Sequence, residues 1–189
     1  MSFYAACVDS WSVGRCRTGK CCKEKVYTTK EDQNHRIRNQ QVCLTGQSNI
    51  QSDILLVDAA WGKSTRRNGR AAAAIGWLLV RDHGTTHEEG ECVYSHSKLQ
   101  TEALAVLKGL VYARQNQVDN IVIKMGSTKL FQALKTFPNN PLEVASVCYD
   151  IINIAKSFNN CSINRCPRET VNTARILAVK ARRGQRGVM

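Results

Sequence analysis

The sequence is poor in proline, aromatic residues and acidic side chains. Its 189 residues include three prolines, 6% aromatic residues, and 15 Asp and Glu against 27 Lys and Arg. With twelve glycines and 43% hydrophobic residues, this composition excludes a collagen-like chain, low-complexity disorder and a coiled coil over the whole length. No apolar run approaches the ~18 residues that a membrane helix requires. We therefore expect one ordinary domain with a modest extension and no membrane span.

The shortage of acidic residues leaves a net charge of +12. Such a charge suggests a polyanionic partner, because basic side chains gain affinity by releasing counterions from phosphates. A merely basic protein, or one with a basic tail, is the alternative. Basic and acidic residues number 8 and 4 in residues 1–52, 12 and 10 in residues 53–163, and 7 and 1 in residues 164–189. The excess is therefore terminal, and the net charge does not locate a binding cleft.

Five of the nine cysteines fall in the first 52 residues, where His35 is the only histidine. The first residues contain no basic segment followed by an apolar stretch, so we expect no secretory signal and no lasting disulfides. We interpret these cysteines as free thiols of an intracellular protein of the nucleus or cytoplasm, with a zinc site as the alternative. The five are Cys7, Cys16, Cys21, Cys22 and Cys43.

Hydrophobic patterning divides the chain into three parts. Residues 1–52 show no sustained periodicity, and we predict an irregular, basic, poorly ordered leader. Residues 53–183 form the predicted folded domain, and residues 184–189 form a basic tail. The order of elements in the domain is β-β-β-α-β-α-α-β-α, which favours a mixed sheet with helices on its faces.

The individual elements follow from local periodicity. Strands are predicted at Ile54–Val57, Ala71–Val80, Glu91–Ser95, Ile121–Ile123 and Cys161–Arg165. Helices are predicted from the apolar face that runs from Leu99 to Leu110, and over residues 128–136, 142–158 and 170–182. Ser97 and Gln100 fit a capping box at the start of the first helix.

Two carboxylates stand out because of where the pattern places them. Asp58 directly follows a buried apolar strand, and Glu102 lies at the margin of the buried face of the first helix. A buried charge is costly unless it is paired or binds a metal. Each residue also has an ordinary interpretation, as a turn cap or as a solvated helix residue. The sequence contains no Ser/His/Asp arrangement and no phosphate-cradling glycine-rich loop that would indicate another chemistry.

Five segments in one order carry a family resemblance. They are Val57–Trp61, Ala74–Asp82, Thr101–Ala105, Asn120–Ile123 and Cys166–Ala178. The series resembles the ribonuclease H-like domain of the plant reverse transcriptase-like type, an RNase H type-1 domain related to the ribonuclease H of retroelements. The resemblance covers residues 53–183. It implies an α/β RNase H-like fold, with a five-stranded mixed sheet in the order 3-2-1-4-5 flanked by helices.

The resemblance also implies a chemistry. Family members cut the RNA strand of RNA–DNA hybrids with two Mg²⁺ ions held by four acidic residues. Two such ions, about 4 Å apart, activate water and stabilise the leaving oxygen, and hard cations of this kind prefer oxygen ligands. Asp58 and Glu102 match the first two family carboxylates. Gly126 and Arg175 occupy the positions of the other two.

These two replacements predict that hydrolysis is lost or weak. The four matching positions carry two negative charges and one positive charge, a total of −1 where four carboxylates would carry −4. We predict that Arg175 points inward and forms a salt bridge with Asp58 or Glu102 in the place of a metal ion. A Mg²⁺ cofactor is therefore implied by the resemblance, whereas the replacements at Gly126 and Arg175 disfavour its binding.

The favoured function is that of a monomeric protein that binds nucleic acid, either RNA–DNA hybrid or RNA. The residues that match family positions around the site are Trp61, Ser127, Arg168 and Asn172, and we expect them to contact the nucleic acid. One alternative is an active hybrid ribonuclease that retains Mg²⁺ on Asp58 and Glu102. Another is a decayed retroelement-like fragment, or a protein-interaction module that keeps only the fold.

Overall fold

The structure is a computed structural model that describes residues 40–45, 51–62 and 72–184. Of the five cysteines of the predicted leader, only Cys43 belongs to this part. The interpretations of Cys7, Cys16, Cys21 and Cys22, and of residues 185–189 in the predicted basic tail, lie outside the described residues.

The described chain contains six strands, four α-helices and two 3₁₀ turns. The strands are β1 (Gln40–Thr45), β2 (Asp53–Gly62), β3 (Ala72–Val80), β4 (Thr86–Val93), β5 (Asn120–Met125) and β6 (Asn160–Arg165). The helices are α1 (Lys98–Gln115), α2 (Thr128–Lys135), α3 (Ala145–Ala155) and α4 (Asn172–Gly184), with 3₁₀ turns at Leu142–Val144 and Arg168–Val171. Within this part of the chain, no helix is both long and apolar enough to cross a bilayer.

The six strands form one mixed sheet in the order β1-β6-β5-β2-β3-β4. Strands β2, β5 and β6 are parallel, whereas β3, β4 and β1 pair antiparallel to their neighbours. The five predicted strands take the predicted order, and the α/β RNase H-like fold class is confirmed. The predicted five-stranded sheet is one strand short.

The additional strand lies in the segment predicted to be an irregular leader. β1 pairs with β6, with Val42 opposite Ile163. Val42 and Leu44 pack against the core, whereas Gln41 and Cys43 are exposed. This alternation is the period of a strand with one buried face. It extends over too few residues to give a sustained signal, so the prediction of irregular structure is wrong here.

Three predicted elements also have different boundaries in the structure. β2 does not end at Asp58, because β3 continues to pair with it as far as Gly62. β4 begins at Thr86 rather than at Glu91, since its pairing with β3 includes an exposed, charged stretch that has no apolar pattern. The predicted helix over 142–158 is a 3₁₀ turn followed by α3, which ends at Ala155.

The two faces of the sheet carry different helices. On one face, Trp77 of β3 packs against Tyr112 of α1, with ring centroids 4.2 Å apart. Its neighbour Gly76 points to the opposite face, where a Cβ atom would lie 2.1 Å from the carbonyl oxygen of Ala174 in α4. Asp58 is the cross-strand partner of Gly76 and therefore shares the face that α4 covers.

A buried carboxylate at the start of β2 ties three segments together. Asp53 Oδ1 accepts a hydrogen bond from the Asp82 N–H at 2.9 Å, and its Oδ2 lies 3.0 Å from Arg81 Nε. Arg81 in turn donates to the carbonyl of Asn116 after α1 at 2.9 Å. Asp53→Ala is expected to lower the free energy of unfolding by about 2 kcal/mol, because it removes the acceptor of the Asp82 N–H and the ion-pair partner of Arg81. Urea denaturation measures the loss.

Asp119 supplies the matched control for that substitution. Its carboxylate forms an exposed ion pair with Arg114 at 3.6 Å, and exposed pairs contribute less than about 1 kcal/mol. We therefore expect Asp119→Ala to have a much smaller effect than Asp53→Ala. Equal losses for the two variants would contradict the role assigned to Asp53.

Candidate nucleic-acid interface

The site lies where β5 ends beside β2. The two strands are parallel, and their last paired residues are Val57 and Met125. Asp58 and Gly126 therefore follow at the same level of the sheet. The carboxyl ends of parallel strands are the usual location of binding sites in α/β folds.

Glu102 is positioned by the beginning of α1. The predicted cap is confirmed: the Ser97 side chain accepts a hydrogen bond from the Gln100 N–H at 3.1 Å. The Gln100 side chain accepts from the His96 N–H at 2.8 Å, one residue earlier than a capping box requires. With its start fixed, α1 presents Glu102 in its second turn, and Lys98 one turn earlier lies 3.7 Å from it.

Ser127 links Glu102 to the next helix. Its hydroxyl donates to Glu102 Oε2 at 2.5 Å and accepts from the Leu130 N–H at 3.2 Å, which caps α2. An N-cap position favours serine because one backbone donor of the helix is then satisfied. Ser127, directly after Gly126, is therefore held in place by hydrogen bonds to Glu102 and to the first turn of α2.

Arg168 is brought to the site by the turn that follows β6. The Cys166 N–H donates to the Met125 carbonyl at 2.9 Å, so the chain passes over the end of β5. This places the Arg168 side chain against Gly126, where a Cβ atom would lie 3.3 Å from Arg168 Cγ. The turn leads directly into α4, which supplies Arg175 and Arg182.

Two cavities with shared walls result. The small cavity has a volume of about 220 Å³, and its charged lining residues are Asp58, Lys98, Glu102, Arg168, Arg175 and Arg182. The large cavity has a volume of about 500 Å³ and adds Lys129, Glu143 and His96 to the shared Trp61, Glu102 and Arg168. The Trp61 indole Nε1 is buried and has no hydrogen-bond partner within the described part of the chain.

The two carboxylates are held in an environment that disfavours their charge. Burial raises the pKa of Asp58, against the opposing effects of the Ala59 N–H, Arg175, Arg168 and Lys98. Burial likewise raises the pKa of Glu102, and the nearby Asp58 adds to the rise, whereas the Ser127 hydroxyl and Lys98 oppose it. The charge of Asp58 thus makes Glu102 harder to ionise.

Arg175 occupies the predicted place but not the predicted conformation. It lines the small cavity with Asp58 and lowers the pKa of that carboxyl through its charge. However, Arg175 is exposed, and no ion pair joins it to Asp58 or Glu102 among the described residues. The prediction of an inward-pointing salt bridge is therefore wrong.

The residues predicted to contact nucleic acid are brought together, with one exception. Trp61, Ser127 and Arg168 line both cavities. Asn172 is exposed at the first position of α4 and lines neither. Sequence reasoning missed Lys98, Lys129, Glu143 and Arg182, which come from four separate elements or turns. The sequence did contain a signal for Arg182: it lies seven residues, or about two helical turns, after Arg175 and so on the same face of the helix.

The donor set does not fit a two-magnesium centre. Two ions of this kind need about four oxygen-donating carboxylates, and the small cavity is lined by two carboxylates, Asp58 and Glu102. Across the described ranges, no group of three or more His, Cys, Asp or Glu side chains is placed to hold a metal ion. Four basic side chains line the same space and repel a divalent cation.

Comparison with known proteins places the chain in a family. The model of the reverse transcriptase-like family matches residues 57–181, a range that includes Asp58, Glu102, Gly126 and Arg175. The chain belongs to the reverse transcriptase-like family. No curated protein sequence matches it significantly.

Solved structures agree with that assignment. RNase H1 of the halophilic archaeon Halobacterium salinarum is 25% identical, with a TM-score of 0.60, over 68% of this chain and 96% of the archaeal one. LC11-RNase H1, isolated from compost and solved with an RNA/DNA hybrid, is 18% identical, with a TM-score of 0.60, over 70% and 98%. Prototype foamy virus protease-reverse transcriptase is 15% identical, with a TM-score of 0.60, over 75% of this chain and 22% of the viral one. The family match and the structural similarity both show that the chain contains an RNase H-like domain.

Proposed function

We propose that this RNase H-like domain binds nucleic acid, either RNA–DNA hybrid or RNA, and that its capacity for two-metal hydrolysis is lost or weak. One observation carries the proposal: the small cavity retains two family carboxylates, Asp58 and Glu102, but surrounds them with four basic side chains. The site is thereby changed from one that attracts divalent cations to one that attracts anions. The plant type of the family stays a prediction from the sequence motifs.

The charge balance supports the loss of hydrolysis. Two unit charges about 4 Å apart interact by roughly 4 kcal/mol at an effective dielectric constant near 20. Arg175 is exposed, so solvent reduces that figure, but its sign opposes a metal ion where a family aspartate would attract one. At the other replaced position, Gly126 provides no ligand atom from a side chain.

The choice of nucleic acid as the partner rests on the cavities and the fold. Lys98 and Arg168 line both cavities, and Lys129 and Trp61 extend the basic, partly aromatic wall of the large one. Basic side chains beside an aromatic ring suit a phosphate backbone with stacked bases. LC11-RNase H1, of the same fold, was solved with an RNA/DNA hybrid, and the foamy viral protein was solved with RNA/DNA hybrid and with dsDNA.

An active hybrid ribonuclease is the second candidate, because Asp58 and Glu102 still lie side by side. Two measurements on one labelled RNA–DNA hybrid distinguish the candidates. Cleavage is followed after incubation with the purified chain and Mg²⁺. Binding is followed by anisotropy over a range of salt concentrations. We expect affinity that falls steeply with salt and little or no cleavage. Asp58→Asn is the control for cleavage.

Each outcome has a definite meaning. Mg²⁺-dependent cleavage that disappears in Asp58→Asn would overturn the proposed loss of hydrolysis and establish the ribonuclease. Residual cleavage that is unchanged in Asp58→Asn would not come from this site. Absence of binding to hybrid and RNA at low salt would refute nucleic-acid binding and favour a protein-interaction module.

A further inference from the structure

We infer that the small cavity is itself a phosphate-binding site, in which Arg168, Arg175 and Arg182 hold a phosphodiester of the bound strand directly, without a bridging metal ion. The inference rests on the proposed function and specifies how that function is carried out. Its ligand is the phosphate group of a nucleic-acid backbone.

The three arginines converge because of their spacing in the chain. They are seven residues apart, and seven residues make about two helical turns. Arg175 and Arg182 therefore lie on one face of α4, and Arg168 lies in the 3₁₀ turn that leads into that helix. All three line the small cavity. We name this set the arginine wall.

The arginine wall is unpaired in the structure. Among the described residues, none of the three arginines forms an ion pair with a carboxylate, whereas Lys98 is engaged with Glu102. The Nε–H of Arg182 is buried and has no hydrogen-bond partner in this part of the chain. A buried donor without an acceptor is costly, so the cavity contains donor capacity that a ligand would satisfy.

Phosphate, the anionic group of a nucleic acid, matches that donor capacity. A guanidinium group donates two parallel hydrogen bonds to phosphate oxygens, and such charge-assisted pairs are stronger than neutral ones. The lining contains four cations against two carboxylates, a net charge of +2. A cavity of about 220 Å³ has room for one phosphodiester and its ester carbons.

The inference reverses the role that the family gives to Asp58. Where two metal ions contact the substrate, the carboxylate holds those ions and so supports substrate binding. In the arginine wall it is a competing anion, since its charge interacts with Arg175 and Arg168. Removal of that charge should therefore strengthen nucleic-acid binding instead of weakening it.

The first experiment compares two double variants of α4. Arg175→Ala with Arg182→Ala removes two cavity-lining charges, whereas Lys180→Ala with Arg183→Ala removes two exposed charges of the same helix that do not line the cavity. With a labelled RNA–DNA hybrid, we expect the first pair to weaken binding about tenfold or more and to reduce the salt slope by about 1, because both arginines contact the same phosphate. The second pair should weaken binding by less than about threefold.

Arg175→Glu provides a single-site variant at an exposed position, and circular dichroism checks that every variant is folded. If the wild-type chain binds hybrid but Arg175→Ala with Arg182→Ala, and Arg175→Glu, both bind as well as the control Lys180→Ala with Arg183→Ala, the arginine wall is refuted and the proposed function stands. If the wild-type chain does not bind at all, the proposed function itself fails.

The second experiment tests the absence of a bridging metal. Asp58→Asn is expected to bind the hybrid at least about threefold more tightly than the wild-type chain. Binding of the wild-type chain should be unchanged when EDTA replaces Mg²⁺ at matched ionic strength. Weaker binding in Asp58→Asn, or loss of affinity in EDTA, would show a metal-bridged complex and overturn the inference.

Discussion

Replacement of Gly126 and Arg175 together by aspartate is expected to create a divalent-metal site. The double variant places four carboxylates and three basic side chains around the small cavity, in place of two carboxylates and four basic side chains. Because one position changes from positive to negative, we expect the affinity for Mn²⁺ or Mg²⁺ to rise about a hundredfold or more. Calorimetry measures the affinity, and Mg²⁺-dependent cleavage of a labelled hybrid measures the activity.

The structure permits this double substitution. The backbone at Gly126 does not have a positive φ, since the only glycine among the described residues with that conformation is Gly84. A Cβ at Gly126 would meet Arg168 Cγ at 3.3 Å, and that flexible side chain can move. Gly126→Asn with Arg175→Asn is the matched control, with the same shapes but no added carboxylates. Equal metal affinity in the two double variants would contradict the placement of the family's four positions.

Gly76→Ala is expected to cause the largest loss of stability. A Cβ at this position would lie 2.1 Å from the Ala174 carbonyl oxygen and 2.6 Å from the Ala178 nitrogen. Both are backbone atoms of α4, so the whole helix must move. We expect a loss of about 3 kcal/mol or more in the free energy of unfolding, and a melting temperature lower by about 6–12 °C.

Gly184→Ala is the matched control on α4, because no atom from another part of the described chain lies within 4 Å of a Cβ placed there. It should change stability by no more than about 1 kcal/mol. Below its melting temperature, Gly76→Ala should also bind hybrid more weakly than the wild-type chain, since α4 carries two members of the arginine wall. If Gly76→Ala and Gly184→Ala have the same melting temperature, α4 does not pack against Gly76 as described.

The predictability of each element depended on the length of its periodic pattern. The buried face of α1 repeats over three turns, from Leu99 to Leu110, so its position and its cap at Ser97 could be predicted. β1 shows the two-residue alternation of a strand over four residues only, and the polar stretch around it masked the signal. β4 begins with exposed charged residues, and only its pairing with β3 identifies them as part of a strand.

Sequence reasoning predicted which residues come together more accurately than how their side chains are oriented. Arg175 was assigned to the face of Ala174 and Ala178, which are fully buried. Adjacent helical residues project about 100° apart, so Arg175 lies at the margin of that face, in contact with solvent. Lys98 and Lys129 reach the cavities from α1 and α2, and no local pattern relates such distant residues.

Because of β1, the folded unit begins earlier in the chain than the region of family similarity does. The family match begins at residue 57, whereas the sheet already includes Gln40–Thr45 as the outer neighbour of β6. Without these six residues, β6 would present a row of unpaired backbone amides and carbonyls, which is a template for intermolecular strand pairing. We therefore expect the isolated domain to aggregate when it lacks Gln40–Thr45, a segment that lies outside the region matched by the family.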